Sequence, residues 1–248
     1  MKSSLRFLNV ESYSVSMMLK TPDTNNGPRC IVMECGSGTM RSLGNGFDFT
    51  SITDIFISHA HKDHAEDTAP LIWKIVQSAE ESNRDRYLYL WGPTITLDSI
   101  IGDAVRIIGK RVSKWRGIRL VRENAEYQRG ITTFPVIHST KSDCCGIMAS
   151  LNGTRLLYPG DYGNQNDWRE IAKCLPDTPT IAISEASEGM GQSTPFHSSC
   201  LCAQKFFEQC NVPPDGRVLW HIRRCSGVDK WAKDNNITIA KTGTTIEL

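Results

Sequence analysis

The chain has 248 residues, a mass of 27.7 kDa, 40% hydrophobic residues and a net charge of +1. That is enough apolar material for the core of one large α/β domain, so a single domain spanning 1–248 is expected. The near-neutral balance does not mark a protein that binds nucleic acid through global charge. No apolar run is long enough for a transmembrane helix, and MKSSLRFLNVESYSVSMM lacks the apolar core of a signal peptide, so a cytoplasmic protein with no membrane partner is expected. The nine cysteines include no CxxC pair. They read as reduced core residues, since a structural zinc on cysteine lacks its usual spacing.

In chain order, β-branched and apolar residues predict strands around 5–19, 30–35 and 52–58. Apolar positions at helical spacing predict a helix over 67–81. YLYLWGP predicts a strand over 87–93, stopped by Gly92-Pro93. A helical pattern covers 94–116. Strands follow near 117–122, 131–137, 145–151 and 154–158, the last two joined by Asn152-Gly153, a strong hairpin signal. Helical pattern returns at 166–174 and 198–210, with strands near 179–184 and 217–222. No internal sequence repeat stands out. Clustered strands with interleaved helices predict mixed sheets covered by helices.

The six histidines are His59, His61, His64, His138, His197 and His221. Three fall in ISHAHKDH (57–64), immediately after an apolar strand. In an extended loop His59 and His61 lie on one side and can hold one ion. If the chain then turns into a helix, Asp63 and His64 swing toward a second. His138 and His221 end apolar strands, and Asp161 ends another in LLYPGDYG. Strand ends deliver side chains to the loop layer, where sites are built on rigid scaffolds.

These residues, in this order, resemble the metallo-β-lactamase superfamily: HxHxDH at His59–His64, then His138, then Asp161 in a Gly-Asp turn, then His221. Within it they look like the ribonuclease Z-like phosphodiesterases. IVMECGSGTMRSL (31–43) is similar to that branch's DCGEGT segment, with Glu34 where Asp is usual. ISEAS (183–187) sits at the HEAT position, with Ser184 in place of its histidine. PFHSS (195–199) resembles the HST element and VLWHI the LTHxS element. The tRNA-processing members carry a long tRNA-gripping arm between the third histidine and the Gly-Asp turn. Here only 22 residues, filled by a hairpin, separate His138 from Asp161.

The resemblance implies an αββα sandwich of two mixed sheets flanked by helices. It implies two divalent metal ions, zinc in the first place, with manganese or iron also suited to a His/Asp set. His59, His61 and His138 would hold one, and Asp63, His64 and His221 the other, with Asp161 bridging. Asp63 would also orient the attacking water, and His197, oriented by Glu185, would protonate the leaving oxygen. Arg223, Arg224 and Lys141 would bind the substrate phosphate. The expected partner is a phosphodiester, either RNA or a cyclic nucleotide. Relatives are often dimers, which makes a homodimer a candidate. A lactone or thioester hydrolase, or a non-catalytic metal-binding sensor, are the competing expectations on the same fold. Residues 106–122 carry seven basic residues and no acid, with Trp115 among them. They read first as a basic surface face, and second as a nucleic-acid patch.

Overall fold

The computed structural model describes residues 2–11, 13–24, 27–82, 87–109, 117–122, 129–138, 144–223 and 226–248. In chain order its elements are β1 (Ser4–Glu11), β2 (Ser14–Thr24), β3 (Gly27–Met33), α1 (Thr39–Leu43), β4 (Asp54–Phe56), α2 (Lys62–Ala65), α3 (Thr68–Glu81), β5 (Leu88–Gly92), α4 (Thr94–Ile108), β6 (Ile118–Arg122), β7 (Ile131–Val136), β8 (Cys144–Leu151), β9 (Thr154–Tyr158), α5 (Trp168–Cys174), β10 (Ile181–Glu185), α6 (Cys200–Gln209), β11 (Arg217–Trp220), α7 (Val228–Asp234), β12 (Thr238–Ile239) and β13 (Thr245–Glu247). Two single-turn 3₁₀ helices stand at Phe49–Ser51 and Pro214–Gly216. The chain divides into two compact units, Met1–Asn9 with Tyr13–Arg122 and Gly243–Leu248, and Val10–Ser12 with Glu123–Thr242.

The first unit carries a seven-stranded mixed sheet, β13-β1-β2-β3-β4-β5-β6. β2 and β3 pair antiparallel, while β3, β4, β5 and β6 run parallel. Parallel neighbours need crossovers, and the links that carry α1, α3 and α4 supply them. Leu71, Ile72, Ile75 and Val76 form one helical stripe on α3 and, with Leu97 and Ile100 of α4, pack on Met18, Val32, Ile55 and Leu90 of the strands. Each such side chain contributes about 1.5–3 kcal/mol when fully buried. Arg29 of β3 donates to Asp54 of β4 through Nε (2.9 Å) and Nη2 (2.7 Å), and Trp91 Nε1 of β5 donates to the same carboxylate at 2.9 Å. This buried group ties three parallel strands together.

The second unit follows the same plan with a six-stranded mixed sheet, β12-β11-β10-β9-β8-β7. β7, β8 and β9 form an antiparallel meander, and β9, β10, β11 and β12 run parallel. Asn152 (φ +49°) and Gly153 (φ +80°) close the β8–β9 hairpin with the positive angles of a type I′ turn. Asp167 caps α5 by accepting from the N–H groups of Arg169 and Glu170, and Ser199 caps α6 by accepting from Cys202. Trp168, Ala203, Phe206, Phe207, Val228 and Ala232 of the three helices pack on Phe134, Met148, Leu157, Ala182 and Leu219 of the strands.

The expected mixed sheets with interleaved helices are therefore present, and several boundaries differ. The strand-like segment 5–19 is divided between β1 and β2. The strand expected over 52–58 is only Asp54–Phe56, because the chain leaves the ladder to present the histidine motif. The helix expected over 94–116 ends at Ile108, where Gly109 turns left-handed (φ +68°); 110–116, with Trp115, lies outside the described residues. No helix among the described residues is long and apolar enough to cross a membrane. None of the described cysteines is in a disulfide.

Candidate metal centre

In the first unit the histidine motif grows from the C-terminal end of β4, at the mouth of a parallel sheet, where α/β proteins place ligand-binding groups. Ile57 N–H still reaches the Trp91 carbonyl at 3.0 Å, which carries the ladder one residue past the strand. Gly92 permits this, since a Cβ there would stand 2.5 Å from the Ile57 carbonyl oxygen. His59 follows in extended backbone, and His61 (φ −63°, ψ 145°) is the N-cap of α2, so the chain does turn helical at Asp63 and His64. His59 and His64 are buried, Asp63 is half-buried and His61 is exposed. His59 Nε2 and His61 Nδ1 are 2.9 Å apart, and His59 Nδ1 is 2.9 Å from the Ser58 hydroxyl. The rings of His59 and His64 lie 4.3 Å apart by centroid. Asp63 Oδ2 is 3.8 Å from His64 Nε2.

Behind this cluster stands Glu34, buried and at φ +60°, an unusual angle for a side-chain-bearing residue. Its carboxylate accepts from Ser58 N–H at 3.2 Å and lies 3.4 Å from His64 Nδ1. The next two residues clasp α2, because Cys35 N–H donates to the His64 carbonyl at 2.6 Å and Gly36 packs against Asp63.

In the second unit the groups again stand at strand ends. His138 follows β7 and is buried; its Nδ1 donates to the Phe196 carbonyl at 2.5 Å. Asn166 braces the preceding residue, accepting from Ile137 N–H and donating to Ile137 C=O, both at 2.8 Å. Asp161 follows β9 through Pro159 and Gly160 (φ +74°) and is buried. His221 leaves β11 at φ +49°, a strained angle for histidine of the kind that collects at functional sites. Its Nε2 is 3.6 Å from Asp161 Oδ2. His138, Asp161 and His197 each offer a ligand atom, all within 4.8 Å of one another.

His197 Nδ1 is 3.3 Å from each oxygen of Glu185 and 3.4 Å from Asp161 Oδ2. Arg223 Nη1 donates to His197 Nε2 at 3.3 Å, and its Nη2 to His221 Nε2 at 3.4 Å. Burial works against the charged imidazolium of His197. The hydrogen bond and charge of Glu185, with Asp161 behind it, outweigh burial and the opposing Arg223, so its pKa lies above the ordinary histidine value. Glu185, wholly buried, also accepts from the backbone N–H groups of Tyr162 (2.9 Å), Ser187 (3.3 Å) and Ser198 (3.3 Å).

Of the site residues expected from sequence, the first unit gathers His59, His61, Asp63 and His64, and the second gathers His138, Asp161, Glu185, His197, His221 and Arg223. Lys141 and Arg224 lie outside the described residues. Sequence reading missed the supporting roles of Ser58, Tyr162 and Asn166. No local pattern marks Asn166, whose partner is 29 residues away. The donor chemistry suits divalent metal. At His138 the Nδ1–H···O=C bond fixes the tautomer and leaves Nε2 as the lone-pair nitrogen, the second-sphere device that orients metal-binding histidines. Buried imidazole with carboxylate is a set that zinc, manganese or iron accepts.

Neither a protein-family model nor a curated relative matches the chain. Solved structures do. The metallo-β-lactamase fold protein YhfI from Bacillus subtilis is 16% identical, with a TM-score of 0.73 over 100% of both chains. Human tRNase Z, short form, is 17% identical, with a TM-score of 0.69 over 98% of both chains. Zn²⁺-bound PqqB from Methylobacterium extorquens is 12% identical, with a TM-score of 0.62 over 99% of this chain and 100% of that one. At these identities what is shared is the architecture, so the two mixed sheets and their helices make this chain a protein of the metallo-β-lactamase fold.

Proposed function

We propose that this protein is a dinuclear metal-dependent hydrolase that cleaves phosphodiester bonds, in RNA or in a small or cyclic nucleotide. The observation that carries the reading is His197 held between Glu185 on Nδ1 and Arg223 on Nε2, beside Asp161. This sets an acid–base group and an anion-binding fork on one spot. A phosphodiester is negatively charged from the start, and a guanidinium matches two of its oxygens at once. A lactone or thioester begins neutral. The likeness in fold to human tRNase Z supports the same reading.

Residues 1–248 are taken as one hydrolase domain. His59, His61 and His138 would hold one ion, and Asp63, His64 and His221 the other, with Asp161 shared; zinc is the first choice. When bound, such ions supply the Lewis acidity that makes water a nucleophile near neutral pH and offsets charge on phosphoryl oxygens. Asp63 orients the attacking water. Arg223 exchanges its histidine partners for the phosphoryl oxygens, which frees His197 Nε2 to carry a proton. Glu185 keeps the ring aimed and favours the imidazolium, and His197 gives that proton to the leaving oxygen. The absence of a long insert between His138 and Asp161 favours substrates smaller than tRNA.

The deciding experiment measures bound metal and the hydrolysis of bis(p-nitrophenyl) phosphate, cyclic nucleotides, short RNA and precursor tRNA, with a lactone and a thioester as controls and His61→Ala as the reference. Turnover of diesters that disappears in His61→Ala is expected. Preferential lactone or thioester hydrolysis would replace the reading with the second one. Bound metal with no turnover of any substrate would make the protein a sensor.

A further inference from the structure

Ser184 directly precedes Glu185 at the end of β10, and the structure shows what surrounds it. Ser184 Oγ donates to the Glu185 carbonyl at 2.8 Å and lies 2.5 Å from the Tyr162 hydroxyl. A serine has one hydroxyl proton, and here the Glu185 carbonyl takes it. Tyr162 must therefore be the donor to Ser184. On the other side, Ser198 Oγ donates to the same Glu185 carbonyl at 2.6 Å. The backbone N–H groups of Tyr162 and Ser198 both donate to Glu185 Oε1. The same two residues thus grip Glu185 at the carboxylate, and hydroxyls anchored on them fix its main chain.

Tyr162 is itself immobilised. It is buried, with its ring edge-on to Trp168 (4.8 Å) and tilted on Phe206 (5.7 Å), within the core of the second unit. Tyr162 lies one residue after Asp161, so the turn that presents that aspartate also supplies the N–H that holds Glu185.

We infer that Tyr162 and Ser184 form a buried hydroxyl relay that positions Glu185 so that His197 can act as the acid in the reaction proposed above. They are positioning residues: neither touches substrate. Tyr162→Phe removes the donor and leaves Ser184 Oγ with a buried lone pair to satisfy, which loosens the main chain at Glu185. The inference rests on the phosphodiesterase reading, and its test separates the two.

Two diesters distinguish positioning from general damage. In bis(p-nitrophenyl) phosphate the leaving phenolate needs no proton. In a diribonucleoside monophosphate the leaving ribose alkoxide needs the His197 proton as the P–O bond breaks. Tyr162→Phe is expected to lower kcat for the second by about tenfold or more, within the range general acids supply, with KM unchanged and the first slowed less than twofold. Ser184→Ala should do the same, and the double variant should lose little more than either single one, because both remove one relay. Equal slowing of both diesters, or of neither, overturns the inference. The proton on His197 Nδ1 gives a second readout by NMR. It should be sharp and downfield in the wild type and exchange-broadened in Tyr162→Phe or Ser184→Ala; an unchanged resonance in a folded variant also overturns the inference. A wild type that hydrolyses neither diester sinks the functional reading alone, and the resonance then decides the relay.

Discussion

Gly36 lies where two backbones nearly touch. A Cβ there would stand 2.0 Å from the Asp63 carbonyl oxygen and 2.8 Å from the Val15 amide nitrogen, and neither main-chain atom can swing aside. Gly36→Ala should therefore cost about 3 kcal/mol or more in urea unfolding, beyond ordinary overpacking, and displace α2 with its metal-capable side chains. At His197 the contest is between acid and ligand, because the ring lies within reach of both Glu185 and the His138–Asp161 pair. His197→Ala should lower kcat about a hundredfold or more while bound metal stays constant. Metal lost in step with rate would reassign it as a ligand. Among the thiols, burial pushes Cys200 to about 11 and Cys210 to about 12, whereas Cys174 is exposed. The thiolate is the nucleophile, so iodoacetamide at pH 8 should label Cys174 before Cys200 and Cys210, which it should reach only in denaturant, as read by mass spectrometry.

Elements defined by local chemistry were legible in the sequence. Asn152-Gly153 announces its hairpin because a type I′ turn needs two positive φ angles, and these two residues adopt them most readily. No atom stands within 4 Å of a Cβ placed on Gly153, so Gly153→Ala isolates backbone strain; it should cost about 1 kcal/mol in thermal unfolding, with no change in rate. The helical stripe of α3 was readable for the same reason, since its period lies within its own sequence. Elements defined by partners were not. β12 has two residues and β13 three, too few for any period. They are strands because β11 and β1 hydrogen-bond to them. The strand-like segment 5–19 is divided between β1 and β2 without a glycine or proline to announce the boundary.

For the whole molecule, stability and function are joined through buried charge. Arg29 and Asp54 are almost wholly buried, and their pair ties β3 and β4 beneath the histidine motif. Removing one partner leaves the other charge buried and uncompensated, so Arg29→Met or Asp54→Asn should destabilise by about 3–5 kcal/mol, and the double replacement by apolar residues by less. On the proposed reading, metal binds the folded chain only, so chelation should lower Tm and abolish hydrolysis together, and added zinc should restore both. Residue type and spacing along the chain suffice for the alternation of strands and helices, the strand-end histidines, and the order in which HxHxDH, His138, Asp161 and His221 occur. That two units repeat one topology without repeating a sequence, that Glu34 stands behind His64, and that Tyr162, Ser184 and Ser198 converge on Glu185 emerges in three dimensions alone. Except at Ser184, which adjoins Glu185, these contacts join residues 13 to 30 positions apart through hydrogen bonds and packing, and no pattern along the chain records which distant groups will meet.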